Sequence, residues 1–318
     1  MRAYTDWFKD SKWGVFTHYL TSPNTTAEDW NRMVDNFQVE KLAAQLGEVK
    51  AKYYFITIGQ NSGHYCSPNA TYDKYVGIQP SKCSTRDLVS DLYDVLSLKG
   101  IKLMVYLPSG APAEDKVAVR KLNWRWGYRN KWPNGGTERR KERLVEFQLK
   151  WEAIIREWSR RWGRKVSGWW IDGCYFADEM YRHPDPPNFQ SFASALKAGN
   201  SDAIVAFNPG VQNPVISLTE FEDYTAGEIS NTLPTNGVEP CVIPLNRWVN
   251  GAQYHILTFL GGCWCQGMPR FTDDFPPAYT RYVNSWDGIV TWDVPITKEG
   301  LIPELFFRQL MVLGSTLR

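Results

Sequence analysis

Apolar residues along the chain fall into short, nearly continuous runs, and stretches of helical spacing separate them. Trp13–Tyr19, Lys52–Ile58 and Ile101–Leu107 read as strands, and a fourth opens at Val166 in VSGWWIDGCY. Ala203–Asn208, a short strand inside EFEDYTAGE, His255–Leu260 and Gly288–Val294 supply the rest. The run KYYFITI is aromatic-rich and uninterrupted, as expected of a strand buried on both faces. Between the strands, Val39–Lys50 repeats Leu42, Leu46 and Val49, and Asp87–Leu98 stops at Gly100. Glu142–Trp162 carries Leu144, Phe147, Trp151, Ile154, Trp158 and Trp162 three and four apart, a core-facing stripe rather than a ligand platform. Phe189–Ala198, Pro277–Trp286 and Gly300–Leu313 complete the helices. Strand and helix alternate about eight times, which predicts an α/β fold, a (β/α)8 TIM-like barrel occupying residues 1–318 as a single domain. A doubly wound open sheet is the rival, but no GxGxxG or P-loop follows the first strand.

Three connections stand out. TSPNTTAEDW is rich in turn residues, GQNSGHYCSPNATYDKY reads as a long polar loop, and WRWGYRNKWPNGG is a basic insertion, either a substrate-facing flap or a solvated loop. Composition narrows the function classes. A net charge of +2 in 318 residues gives no footprint for nucleic acid, and no run reaches the ~18 apolar residues of a membrane span. Cys66, Cys83, Cys174, Cys241, Cys263 and Cys265 form no CxxC pair, and only four histidines are present, so neither a metal nor another cofactor is expected. Cys66 and Cys83 have a spacing compatible with a disulfide. MRAYTDWFKDSKWG carries no charged-then-apolar leader, which leaves cytoplasmic and exported settings both open, as it does the oligomeric state. Aromatic residues make up 14% of the chain, a composition that suits both cores and sugar-binding clefts.

The candidate chemistry centres on Asp172. Read with a period of two, Trp170 and Asp172 share one face of the fourth strand, and Trp169 and Ile171 share the other. In a parallel barrel the carboxyl ends of the strands form the functional face. His18, Gln60, Asn61, Tyr106, Asp172, Asn208, Glu228, Trp264 and Asp293 would converge there. Two carboxylates among amide, imidazole and aromatic groups are the equipment of a glycosidase. Glu222 and Asp223 beside Glu228 would raise its pKa by like charge, unless the three acids are simply solvated.

These residues occur in an order that resembles the α-L-fucosidases of glycoside hydrolase family 29. WFKDSKWGVFTHYL is similar to that family's first strand, and STRDLVSDLYDVLSLKGIKLMVYLPS to its R-D-L-V helix and the strand bearing an active-site tyrosine. WWIDG resembles the nucleophile motif W-x-D-G, and EDYTAGE the segment ending in the acid/base. DGIVTWDVPITKEGLIP resembles the last strand, where the family usually reads G-x-L-L-L-N-x-x-P-x-x-D-G-x-I-P. The resemblance implies a retaining exo-glycosidase without cofactor, Asp172 as nucleophile and Glu228 as acid/base. It places His18, Tyr106 and Trp264 around a terminal sugar, beside Trp170 and Asn208 as further substrate-binding candidates, with an oligosaccharide or glycoconjugate as partner and α-L-fucose as the leading expectation.

The chain also departs from the family. Gly59-Gln60-Asn61-Ser62-Gly63 stands where the family reads K-H-H-D-G, and Asn208-Pro209-Gly210 where it reads N-D-R. Gln60 and Asn61 can still donate and accept hydrogen bonds there, in a changed pattern, and His64 or the basic insertion is the candidate compensation for the absent arginine. A glycosidase for a different terminal sugar, a catalytically inactive glycan-binding relative, and inverting hydrolysis are the alternatives.

Overall fold

The computed structural model describes residues 2–125, 143–230, 233 and 245–317. Seven parallel strands form one curled sheet: β1 (Trp13–Thr17), β2 (Tyr53–Thr57), β3 (Lys102–Pro108), β4 (Val166–Asp172), β5 (Ile204–Phe207), β8 (His255–Phe259) and β9 (Ile289–Asp293). Their order is β5-β4-β3-β2-β1-β9-β8. A two-stranded antiparallel ribbon, β6 (Trp248–Val249) with β7 (Ala252–Gln253), precedes β8. Alternation along the strands sorts the apolar side chains into two cores. Phe16, Tyr53, Phe55, Met104, Tyr106, Trp170, Ile204 and Leu257 pack against one another inside the curl. Val15, Tyr54, Val105, Trp169, Ile171 and Val205 face the surrounding helices. Trp170 and Asp172 therefore do share the inner face.

The expected sixth strand takes another form. Residues 223–229 run between β5 and β8 as isolated bridges rather than a ladder. The Asp223 N–H donates to the Val205 carbonyl at 2.7 Å, and the Gln253 N–H to the Asp223 carbonyl at 2.9 Å. Farther along, the Leu257 N–H donates to Gly227 and the Ile229 N–H to Leu257, both at 2.9 Å. Gly227 explains the irregularity. Its φ is +61°, and a Cβ there would stand 1.9 Å from the His255 carbonyl oxygen, so the chain kinks against β8 where no side chain fits.

Local capping produces helices inside segments that read as loops. Thr26 accepts the Asp29 N–H at 3.0 Å and starts a helix at Ala27–Asp35 within the TSPNTTAEDW stretch. Asn69 accepts the Tyr72 N–H at 2.8 Å and starts Ala70–Val76 in the stretch expected to be a long loop. A further helix, Asp6–Ser11, precedes β1. The last two helices are Phe275–Asn284 and Glu304–Thr316, the latter beginning only after Pro303. Val145–Trp162 buries Phe147, Trp151, Ile154, Trp158 and Trp162 as its spacing demands. Cys66 and Cys83 are buried free thiols and not a disulfide. Backbone pairing in this region joins Tyr65, rather than Cys66, to Cys83. Cys241, Glu142 and the basic insertion beyond Arg125 lie outside the described residues. Among the described residues no helix is long and apolar enough to cross a membrane.

Candidate active site

The carboxyl ends of the strands surround a cavity of about 270 Å³. Asp172, the last residue of β4, stands in its wall. Its Oδ2 accepts the Tyr106 hydroxyl at 2.6 Å, and Tyr106 reaches it because Pro108 of β3 is in register with Asp172. Its Oδ1 accepts the backbone N–H of Gly173 at 2.8 Å. Gly173 sits at φ +80°, the left-handed region that a side chain there would strain. Gln60, just after β2, donates to the Tyr106 oxygen at 2.6 Å, which leaves the tyrosine proton for Asp172. Burial and the adjacent carboxylate push the Tyr106 pKa well up, so the ring stays a donor.

Asn208 links the two acids. Its Nδ2 donates to Asp172 Oδ1 at 2.8 Å and to Glu228 Oε2 at 2.6 Å. Those two oxygens are therefore no farther apart than the two bonds laid end to end, about 5.4 Å. Asn208 is held by its own backbone: its N–H donates to Ile171 at 2.7 Å and its carbonyl accepts from Cys174 at 2.9 Å. Burial raises the Glu228 pKa to about 7, the Asp172 charge adds to the rise, and Asn208 and His18 oppose it. The source of the rise thus differs from the sequence expectation. Glu222 and Asp223 are neither solvated nor turned toward Glu228. Glu222 is buried and accepts backbone N–H groups of Leu218 and Phe207, while Asp223 pairs with Lys197 at 2.7 Å. Both acids anchor the irregular segment instead.

Across the cavity His18 follows β1. Its Nδ1 lies 2.8 Å from Asp293 Oδ1, at the end of the neighbouring β9. The other oxygen of Asp293 accepts the Cys265 N–H at 2.7 Å, at the turn that carries Trp264. Trp264 packs against Phe259, and its ring centre is 6.0 Å from that of His18. Asp293 is wholly buried, and burial raises its pKa against the pull of His18.

His18, Gln60, Tyr106, Trp170, Asp172, Glu228 and Trp264 all line the cavity, and Asn208 bridges its two acids. Asn61 and His64 do not line it. The Asn61 backbone carbonyl accepts from Glu114, and His64 is buried beside Trp30, ring centres 5.9 Å apart. Burial, with Lys82 next, lowers the His64 pKa to about 4. Sequence reasoning missed Phe16, Leu20, Tyr175, Leu257 and Cys265, which complete the wall. Tyr175 points its hydroxyl at Asp172 Oδ1, 3.3 Å away, and lies over Gly210, where a Cβ would come within 3.2 Å of the ring. The signal was present in DGCY, three residues beyond the acid. Among the described residues no three histidine, cysteine or acidic side chains cluster as a metal site would require.

No protein-family model matches the chain, and no curated protein matches it. Solved structures do. The chain is similar to the endo-fucoidan hydrolase MfFcnA4 of glycoside hydrolase family 107, at 18% identity and TM-score 0.70, covering 96% of this chain and 52% of that one. It therefore spans about half the length of that enzyme. It is also similar to endo-fucoidan hydrolase P5AFcnA of the same family, at 14% identity and TM-score 0.69, over 100% of this chain and 94% of that one. A further match is the α-L-fucosidase AlfC from Lactobacillus casei, in complex with α-L-fucose product, at 14% identity and TM-score 0.66. It covers 98% of this chain and 97% of that chain. At these identities the likeness is one of fold.

Proposed function

We propose that the chain is a retaining glycoside hydrolase acting on α-L-fucosides, with Asp172 as nucleophile and Glu228 as general acid/base. In this reading the curled sheet and residues 223–229 together form a (β/α)8 barrel. The observation that carries the proposal is the Asn208 amide donating to both carboxylates at once. The upper bound of about 5.4 Å that it sets on one pair of their oxygens supports a double displacement, with carboxyl groups ~5–5.5 Å apart, over inversion, which needs ~6.5–9.5 Å.

The surroundings of the two acids divide the labour. Asp172 accepts from Tyr106, Gly173 and Asn208, three donors that fix the orientation of its carboxylate. Glu228, with its pKa raised to about 7, keeps its proton below neutral pH and is still partly protonated at pH 7. Asp172 attacks the anomeric carbon while Glu228 gives its proton to the departing oxygen, which leaves a glycosyl ester on Asp172. Glu228, now ionised, takes a proton from water as the water oxygen attacks that carbon, and Asp172 is released. The solved relatives are described as acting on fucoidan or bound to α-L-fucose, which agrees with the sequence resemblance in favouring fucose.

Turnover of aryl α-L-fucosides by single variants tests the assignment. Asp172→Ala should abolish hydrolysis of every aryl fucoside. Glu228→Ala should lose about 10²- to 10⁴-fold on poor leaving groups and far less on 2,4-dinitrophenol, which needs no proton. Wild-type rates in both variants would refute it.

A further inference from the structure

On the β1 side the catalytic cavity adjoins a second space. Leu20, two residues beyond His18, lines the cavity and also lines this larger space of about 790 Å³. One wall of that groove is the end of the Ala27–Asp35 helix with Asn36 and Gln38, and the other is Lys298 and Glu299 beyond β9. The walls are tied together underneath. The Tyr19 hydroxyl reaches the carbonyls of Met33 and Lys298, 3.0 Å each, and the Gln38 N–H donates to the Glu299 carbonyl at 2.9 Å. The groove is thus formed in advance of any ligand.

Its chemistry suits a sugar. Among the described residues the side-chain amides of Asn36 and Gln38 and the Lys298 ammonium make no hydrogen bond or ion pair within the protein, so their donors and acceptors are unspent. The position of the groove gives it a direction. Around the sheet, β1 is three strand positions from β4, which carries Asp172. In the other direction it is three positions from residues 223–229, which carry Glu228. The groove therefore lies across the sheet from the strand positions that carry the two carboxylates.

From this, and resting on the fucoside reading above, the geometry points to a glycan subsite in the Leu20–Lys298 groove that holds the residue on the non-reducing side of the sugar being cleaved. The chain then accepts an internal position of an oligosaccharide, where the family resemblance implied a terminal sugar only. A hydroxyl of the ring in the cavity carries the next residue over Leu20, and that residue hydrogen-bonds to Asn36, Gln38 and Lys298.

The test compares 4-nitrophenyl α-L-fucoside with 4-nitrophenyl α-fucobiosides of 1→2, 1→3 and 1→4 linkage, which share a leaving group and differ only on the groove side. One fucobioside should release nitrophenol and intact fucobiose with kcat/KM roughly tenfold above the monosaccharide, the gain expected of one or two hydrogen bonds. Asn36→Trp, which fills the groove, and Lys298→Ala, which strips one contact, should cancel that gain while leaving the monofucoside rate unchanged. That unchanged rate also shows that both variants are folded. If the monofucoside is hydrolysed but no fucobioside is faster, or each loses its terminal fucose first, the subsite is refuted and the catalytic assignment stands. If no fucoside of either kind is hydrolysed, both fall.

Discussion

Replacing Asn208 by leucine separates the two acids electrostatically without emptying the space between them. Leucine has similar volume and no donor, so the bonds of 2.8 Å to Asp172 and 2.6 Å to Glu228 vanish together. A hydrogen bond to a charged acceptor is worth about 1.5–3 kcal/mol, and the half-buried site reduces this toward the lower figure. At 1.36 kcal/mol for each pH unit, Glu228 should titrate about one unit above its value near 7. Its protonated form is the catalyst, so a higher pKa carries activity to higher pH. The alkaline limb of kcat/KM on a poor leaving group should move up by about one unit. The plateau should meanwhile fall about tenfold, because Asp172 retains only Tyr106, Gly173 and the distant Tyr175 as donors. The assay is a pH–rate profile on phenyl α-L-fucoside, with the dinitrophenyl substrate as the control that bypasses the proton. An alkaline limb that stays in place or moves down would refute the reasoning.

Other perturbations have equally definite outcomes. Asp293→Asn keeps the shape but leaves one oxygen to serve both His18 and the Cys265 N–H, so kcat/KM should fall roughly 10- to 100-fold; unchanged kinetics would count against a role for that carboxylate. Gly227→Ala puts a methyl group against the His255 carbonyl at a positive φ and should lower the urea midpoint by the equivalent of several kcal/mol, which equilibrium unfolding measures directly. Burial raises the Glu222 carboxyl to about 8 from an ordinary 4.5. The folded state then binds its proton more tightly than the unfolded one, and this stabilisation is complete below 4.5 and lost as the pH rises through 8. Urea midpoints across that window should show the native chain losing stability relative to Glu222→Gln, and a constant gap would contradict the sign.

Which of these features the sequence revealed follows from the range of the forces involved. Strand and helix order was legible because burial imposes periods of two and of 3.6 on Trp169-Trp170-Ile171-Asp172 and on the Val145–Trp162 stripe. Asp172 and Glu228 were legible as acids placed at the ends of such runs. The caps at Thr26 and Asn69 are equally local, yet polar composition around them masked two short helices. The irregular sixth position was hidden because it depends on contact between Gly227 and His255. The task of Glu222 and Asp223 was hidden for the same reason: three neighbouring acids look alike until backbone donors from Phe207, Leu218 and Val205 select two of them as anchors. His64 looked available as a polar loop residue, and the packing of Trp30 over it could not be read from its neighbours.

The central claim is that Asp172 and Glu228, held together by Asn208, carry out a double displacement. Proton NMR of the sugar first released from an aryl α-L-fucoside, recorded before mutarotation, tests it most directly. The account predicts α-L-fucose as the first anomer. Initial release of β-L-fucose would mean a single displacement by water and would contradict it.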